Sequence, residues 1–196
     1  APERAVQVQM LLDVPPREAC FEGEGGEPAL DLDPRWRSYF KERGIGRLYS
    51  HQARAIRLIQ EGRNVVVVTS TASGKTLCYN VPVLDRFLRA PPAGPAPGVP
   101  GVPGAPSREF PSGGAYALYL YPTKALAQDQ MRVLDGMIRG LGLEVESGVF
   151  DGDTDPDTRR RLRRMGRIIL TNPDMLHQSI LPHHGGWSGL FRGLQY

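Results

Sequence analysis

The apolar positions fall into short runs of two alternating kinds. Val65-Val66-Val67-Val68 is a continuous β-branched run between polar ends, the pattern of a parallel strand covered on both faces. Tyr116–Tyr121, Glu144–Phe150 and Arg167–Leu170 read as further strands. Between them the spacing becomes helical. His51–Glu61 places Ala55, Ile56 and Ile59 along one side, with Ser50 as its cap and Gly62 as its stop. Arg35–Arg43 predicts a shorter helix ended by Gly44. Lys75 to about Arg89 is helical, with Pro82 expected to kink or break it. Thr123–Leu141 predicts a helix capped by Thr123, with Ala125, Leu126 and Met131 turned to the core. Asp155-Pro156 and Asn172-Pro173 each open a helix, since proline suits the first helical position; these run to about Met165 and Leu181. Strand-then-helix repetition predicts an α/β fold, a parallel sheet with helices on both faces and right-handed crossovers. Ligands of such sheets bind at the carboxyl ends of the strands.

Two stretches break this rhythm. Residues 1–34 have little periodicity and many breakers (Pro15, Pro16, Gly23, Gly25, Gly26, Pro28, Pro34), so they read as an extended lead-in that wraps the domain. Residues 91–114 hold eight prolines and six glycines without collagen's strict glycine period, which makes them a surface insertion or a Pro-rich docking site. The domain proper is then 35–196.

Composition adds limits. At 196 residues and 40% hydrophobic content the chain can build one packed core, and global disorder is excluded. No run approaches the roughly 20 apolar residues of a membrane span, and the start lacks the pattern of a signal peptide. The first residue is not Met, which suits a processed chain or an excised fragment. Cys20 and Cys78 form neither a disulfide framework nor a metal knuckle, so a cytoplasmic setting is expected, at the nucleoid if the source is bacterial. A net charge of +3 leans mildly toward polyanions and decides nothing alone.

The strongest motif is Thr69-Ser70-Thr71-Ala72-Ser73-Gly74-Lys75-Thr76, after a strand and before a helix, the setting of a phosphate-binding loop. Loop N–H groups would surround the β- and γ-phosphates, Gly74 leaves room for their approach, and Lys75 supplies charge. The Thr76 hydroxyl would ligate Mg²⁺. The general pattern begins with glycine, whereas this chain has Thr69.

Here the residues resemble a family. Thr71-Ala72-Ser73-Gly74-Lys75-Thr76 resembles motif I of superfamily 2 DEAD/DEAH-box helicases, which often lack the first glycine. Tyr49-Ser50-His51-Gln52 resembles their adenine-recognition element, in which the glutamine reads the adenine edge; otherwise Gln52 is an ordinary exposed helix residue. Tyr121-Pro122-Thr123-Lys124-Ala125-Leu126-Ala127-Gln128 resembles motif Ia, implying that Pro122, Thr123, Lys124 and Gln128 face nucleic acid. Thr171-Asn172-Pro173-Asp174 resembles motif Ib, with Thr171 and Asn172 as phosphate contacts or as a plain helix start. Asp151-Gly152-Asp153-Thr154 resembles a turn of the same proteins, so Asp153 and Thr154 either contact DNA or form a plain acidic turn. The combination is similar to the branch containing fungal RecQ-related and bacterial mitomycin-repair helicases. It implies a RecA-like, three-layer P-loop NTPase domain, ATP and Mg²⁺ as cofactors, DNA as partner, 3′-to-5′ polarity and a role in repair. The arginine run Arg159–Arg164 with Arg167 either extends a DNA path or is a solvated helix face.

The resemblance also implies groups not found between Ala1 and Tyr196. The family's Asp-Glu-x-His motif, its second RecA-like domain and a cysteine-rich zinc region would belong to a parent protein. A domain truncated before that motif is expected to hold nucleotide yet neither hydrolyse it nor unwind DNA. Two other classes stay open: a small P-loop kinase or GTPase, for which no acceptor motif is seen, and a non-catalytic nucleic-acid-binding scaffold.

Overall fold

The computed structural model describes residues 8–12 (backbone only), 29–69, 73–90 and 116–196. The expected insertion at 91–114 and most of the lead-in lie outside the described residues. The chain divides into two compact units, Ala1–Asp85 and Arg86–Tyr196.

In the first unit, strand β1 (Val8–Leu12) pairs in parallel with β2 (Asn64–Val68). The lead-in thus contributes a strand that its irregular surroundings hide in the sequence. Helices α1 (Arg35–Glu42) and α2 (Ser50–Gln60) lie between the strands in the chain, and α3 (Lys75–Arg89) follows β2. Trp36 and Tyr39 are buried, and the Trp36 ring lies 5.6 Å from Tyr39 and 5.3 Å from Phe40. Buried Asp85 accepts hydrogen bonds from Asp33 N–H at 2.7 Å and from Gln60 Nε2 at 3.4 Å, tying α2 and the start of α1 to α3.

Three expectations change here. Helix α2 starts at Ser50 itself; the N–H of Tyr49 is instead satisfied by the Gln52 side chain, one turn inside the helix. Helix α3 continues through Pro82, so the break is excluded. The valine run is not covered on both faces: Val66 and Val68 are 43% and 46% exposed. Among the described residues its sheet has two strands, and β-branched propensity alone does not imply double cover.

The second unit is a parallel three-stranded sheet in the order β3 (Ala117–Leu120), β5 (Ile168–Thr171), β4 (Ser147–Val149). Central β5 is buried along its whole length, as expected for a strand paired on both edges. Residues 194–196 run beside the other edge of β3, where Leu118 N–H donates to the Tyr196 carbonyl at 3.0 Å and Gln195 N–H to that of Tyr116 at 3.0 Å.

Helix α4 (Lys124–Gly140) begins at Thr123, whose hydroxyl accepts the Leu126 N–H at 3.2 Å. Its buried stripe is Ala127, Met131, Leu134, Met137 and Ile138, with Leu141 just beyond. Ala125 is exposed and Leu126 is 37% exposed, because the inward face is set by Ala127 and not by the apolar pair before it. Helix α5 (Pro156–Met165) is capped by Asp155, which accepts from Asp157 and Thr158 N–H. A single helix was expected from Asn172 to Leu181; the chain forms a short α6 (Pro173–Met175) that widens into a π-helix over Leu176–Ile180. A 3₁₀ turn (His184–Trp187) and α7 (Ser188–Gly193) then bring Trp187 and Leu190 into the core with Tyr116, Phe150, Leu162, Ile169 and Ile180.

Candidate functional site

The phosphate loop of the first unit hangs between β2 and α3. Thr71 and Ala72 lie outside the described residues. Gly74 has φ +70°, a left-handed conformation that side chains rarely tolerate. A Cβ there would stand 2.4 Å from Gln52 Nε2. The absent side chain therefore leaves the space that the glutamine amide fills.

Gln52 is 3% exposed, which rules out the ordinary exposed helix residue. Its Oε1 accepts from Tyr49 N–H at 2.9 Å, and its Nε2 donates to the Gly74 carbonyl at 3.0 Å. One carboxamide uses both of its faces to join the start of α2 to the loop. His51, which the sequence reading left unassigned, adds a second tie from Nε2 to the Ser73 carbonyl at 3.0 Å. The Tyr49 and His51 rings stack with centroids 5.7 Å apart.

Lys75 Nζ donates to the Thr69 carbonyl and hydroxyl, each at 3.1 Å, and to the Ser73 hydroxyl at 3.3 Å. The Thr69 and Ser73 hydroxyls also hydrogen-bond each other. Thr76 sits half-buried in the first turn of α3, one residue beyond Lys75. A loop with a left-handed glycine, an ammonium among oxygens and a hydroxyl at the helix start fits a polyphosphate with its cation.

In the second unit the parallel order brings three sequence-distant segments to the carboxyl ends of adjacent strands: Pro122–Lys124 after β3, Thr171–Asn172 at the end of β5 and Asp151–Thr154 after β4. Pro122, Thr123, Lys124 and Gln128 are exposed. Lys124 Nζ reaches over Gly152, where a Cβ would lie 3.3 Å away, and pairs with Asp153 Oδ2 at 2.9 Å. That hydrogen bond is the main reason the ammonium is held above the ordinary lysine range.

The acidic turn is built around Asp151, which is 3% exposed. Its Oδ1 accepts from Asp153 N–H, Thr154 N–H and the Thr154 hydroxyl at 2.9–3.0 Å, and Gln128 Nε2 approaches Oδ2 at 3.5 Å. Burial pushes its pKa up, but these hydrogen bonds outweigh that and leave it lowered. The Thr154 hydroxyl also lies 3.0 Å from the Val149 carbonyl and 2.9 Å from Asp151 N–H, so it closes the turn. Arg159 caps the same turn, donating to the carbonyls of Asp151 and Gly152 at 2.8 and 3.0 Å. The D-G-D-T pattern signals such a side-chain-closed turn, although its arginine clamp has no local signal.

Thr171 differs from its expected role. It is 1% exposed and its hydroxyl donates to the Phe150 carbonyl at 2.7 Å, linking β5 to the end of β4. Asn172 Oδ1 caps α6 by accepting Met175 N–H at 2.9 Å. Both side chains are engaged in holding the surface together.

The arginine run divides between packing and solvent: Arg160, Arg161 and Arg164 are exposed, whereas Arg159, Arg163 and Arg167 are half-buried. Arg159 and Arg163 lie over the Phe150 ring at 5.6 Å, Arg163 also over Trp187 at 5.8 Å, and Arg167 over Tyr116 at 4.7 Å. Arg160 and Arg161 pair with Asp157 and Glu146. Among the described residues no acidic, histidine or cysteine cluster could hold a metal, and no helix is long and apolar enough to cross a membrane.

The family model of the DEAD/DEAH box helicases matches residues 49–196. The uncharacterized ATP-dependent helicase YprA of Bacillus subtilis is 44% identical over 165 residues, which cover 84% of this chain and 19% of YprA. The ATP-dependent helicase HRQ1 of Saccharomyces cerevisiae is 34% identical over 186 residues, covering 93% of this chain and 14% of HRQ1. The crystal structure of the DUF1998 helicase MrfA bound to DNA and AMPPNP is 41% identical with a TM-score of 0.72, over 92% of this chain and 22% of MrfA. The chain therefore spans only a minor part of each of these relatives. Their likeness carries the RecA-like P-loop fold and the superfamily 2 branch expected from the motifs. On the extent of these matches, the chain belongs to the DEAD/DEAH box helicase family.

Proposed function

We propose that this chain supplies the nucleotide-binding loop and one DNA-facing surface of an ATP-dependent DNA helicase. The observation that carries the reading is the Gln52 amide, which joins the Tyr49–Gln52 element to Gly74 of the phosphate loop. In this reading Tyr49 and Gln52 bind the adenine side, while Thr71, Ala72, Ser73, Gly74 and Lys75 hold the phosphates. The Thr76 hydroxyl would hold a Mg²⁺ ion, which would screen the phosphate charge. The structure of MrfA with DNA and AMPPNP supports both ligand classes by likeness.

The DNA surface in this proposal centres on Pro122, Thr123, Lys124 and Gln128, with Asp153 and Thr154 beside them. Thr171 and Asn172 support that surface from beneath, through the bonds they make to Phe150 and Met175. A 3′-to-5′ direction, a repair role and a cytoplasmic or nucleoid setting complete the proposal. A parent protein would supply the water-activating carboxylates and a second RecA-like domain. The chain alone is then a binding module with negligible turnover.

Titration of the chain with Mg·ATP by calorimetry, against Lys75→Ala, tests the first part: at least a tenfold loss of affinity is expected, and an unchanged affinity overturns it. Phosphate release in the presence of single-stranded DNA tests the second. Turnover near one per second, ordinary for an intact enzyme, would show that the missing groups are not needed.

A further inference from the structure

Thr69 stands where the general phosphate-loop pattern has glycine. A glycine would offer Lys75 a carbonyl oxygen and nothing more. Thr69 offers two acceptors, carbonyl and hydroxyl, each 3.1 Å from Nζ, and its hydroxyl also bonds to that of Ser73, 3.3 Å from the same nitrogen. The Lys75 ammonium, with three protons to donate, thus meets oxygens of the loop's own making.

We infer that Thr69 is a positioning residue: its hydroxyl, braced by Ser73, holds Lys75 against the loop. Binding of a nucleoside triphosphate exchanges those hydroxyl oxygens for phosphate oxygens. The inference rests on the loop being a polyphosphate site. It adds that the loop's own oxygens compete with phosphate for Lys75, with a strength that residue 69 sets. Because a hydrogen bond to a charged group is stronger than a neutral one, removing this hydroxyl should ease the exchange. Part of the gain is lost to water and to the other partners of Lys75, among them the Thr69 carbonyl and the Ser73 hydroxyl, so the expected change is about three- to tenfold in affinity.

The test uses the chain as it stands, titrated with Mg·ATP and separately with adenosine, which carries no phosphate. Thr69→Val keeps the shape without the hydroxyl and should bind ATP about three- to tenfold more tightly, with adenosine affinity unchanged. Thr69→Ser keeps the hydroxyl and should match the parent chain within about twofold. The ¹H–¹⁵N signal of the Lys75 ammonium in the nucleotide-free chain should move in the valine variant and stay in the serine variant. If valine does not fold, Thr69→Ala makes the same comparison. Unchanged or weaker ATP binding without the hydroxyl overturns the inference. If Lys75→Ala leaves ATP binding unchanged, the polyphosphate reading falls as well; if Lys75→Ala weakens binding but Thr69→Val does not strengthen it, only this inference falls.

Discussion

Replacing Gly74 with alanine should unfold the first unit more easily than any change in backbone strain explains. A side chain at φ +70° costs about 1–2 kcal/mol in the left-handed region. The new Cβ would also lie 2.4 Å from Gln52 Nε2, and Gln52 is 3% exposed, so that nitrogen must leave the Gly74 carbonyl with little room to find another partner. Stranding a buried hydrogen-bonding group costs about 1–3 kcal/mol, which gives a total of about 2–5 kcal/mol. The two effects separate in a double-mutant cycle with Gln52→Ala. Once the glutamine is gone, Gly74→Ala should cost only its strain, about 1–2 kcal/mol, leaving a coupling of about 1–3 kcal/mol. Urea unfolding followed by Trp36 fluorescence reads this unit, and Trp187→Phe removes the signal of the chain's other tryptophan. Additive costs, within about 0.5 kcal/mol, would refute the crowding of glycine by glutamine and with it the link between α2 and the loop.

Three further outcomes are expected. Trp187→Ala empties a fully buried site that packs edge-on against Phe150 at 4.9 Å, and should cost about 3–5 kcal/mol by chemical denaturation. Lys124→Ala should weaken binding to single-stranded DNA and lower its salt slope by about 1; Asp153→Asn should strengthen it by removing the carboxylate that competes with phosphate for Lys124, and fluorescence anisotropy at several salt concentrations measures both. Asp151 carries a lowered pKa in the folded chain, so its contribution is complete above the unfolded value of about 3.9. That contribution is lost as pH falls through the folded value, below about 4. Asp151→Asn should therefore flatten the acid limb of stability followed by Trp187 fluorescence.

The parts of this molecule legible in its sequence are those governed by neighbours along the chain. Asp155-Pro156, Asn172-Pro173 and Thr123 mark helix starts because capping acts over three residues. The loop at Thr69–Thr76 was visible for the same reason. What the sequence hid depends on distant partners. Ala125 and Leu126 look like core residues until the sheet selects the stripe one residue further on. Thr171 looks like a phosphate contact until β4 presents the Phe150 carbonyl to it across 21 residues. Asp153 meets Lys124 across 29 residues, and no local pattern announces that pair. The segment from His184 to Gly193 holds four glycines and shows no helical pattern in the sequence; it gains its order from Trp187, whose burial outweighs weak helix propensity.

The arginines of α5 bear on how this surface can change. Arg159 and Arg163 lie over Phe150, and their Nε atoms are buried without a hydrogen-bond partner among the described residues. A guanidinium tolerates such a position because it is planar and weakly hydrated, whereas a lysine ammonium does not. Swapping these arginines for lysines would keep every unit of net charge and still strip the lid from an aromatic ring. At these two positions natural variation should therefore follow shape: arginine giving way to another flat or apolar side chain before it gives way to lysine.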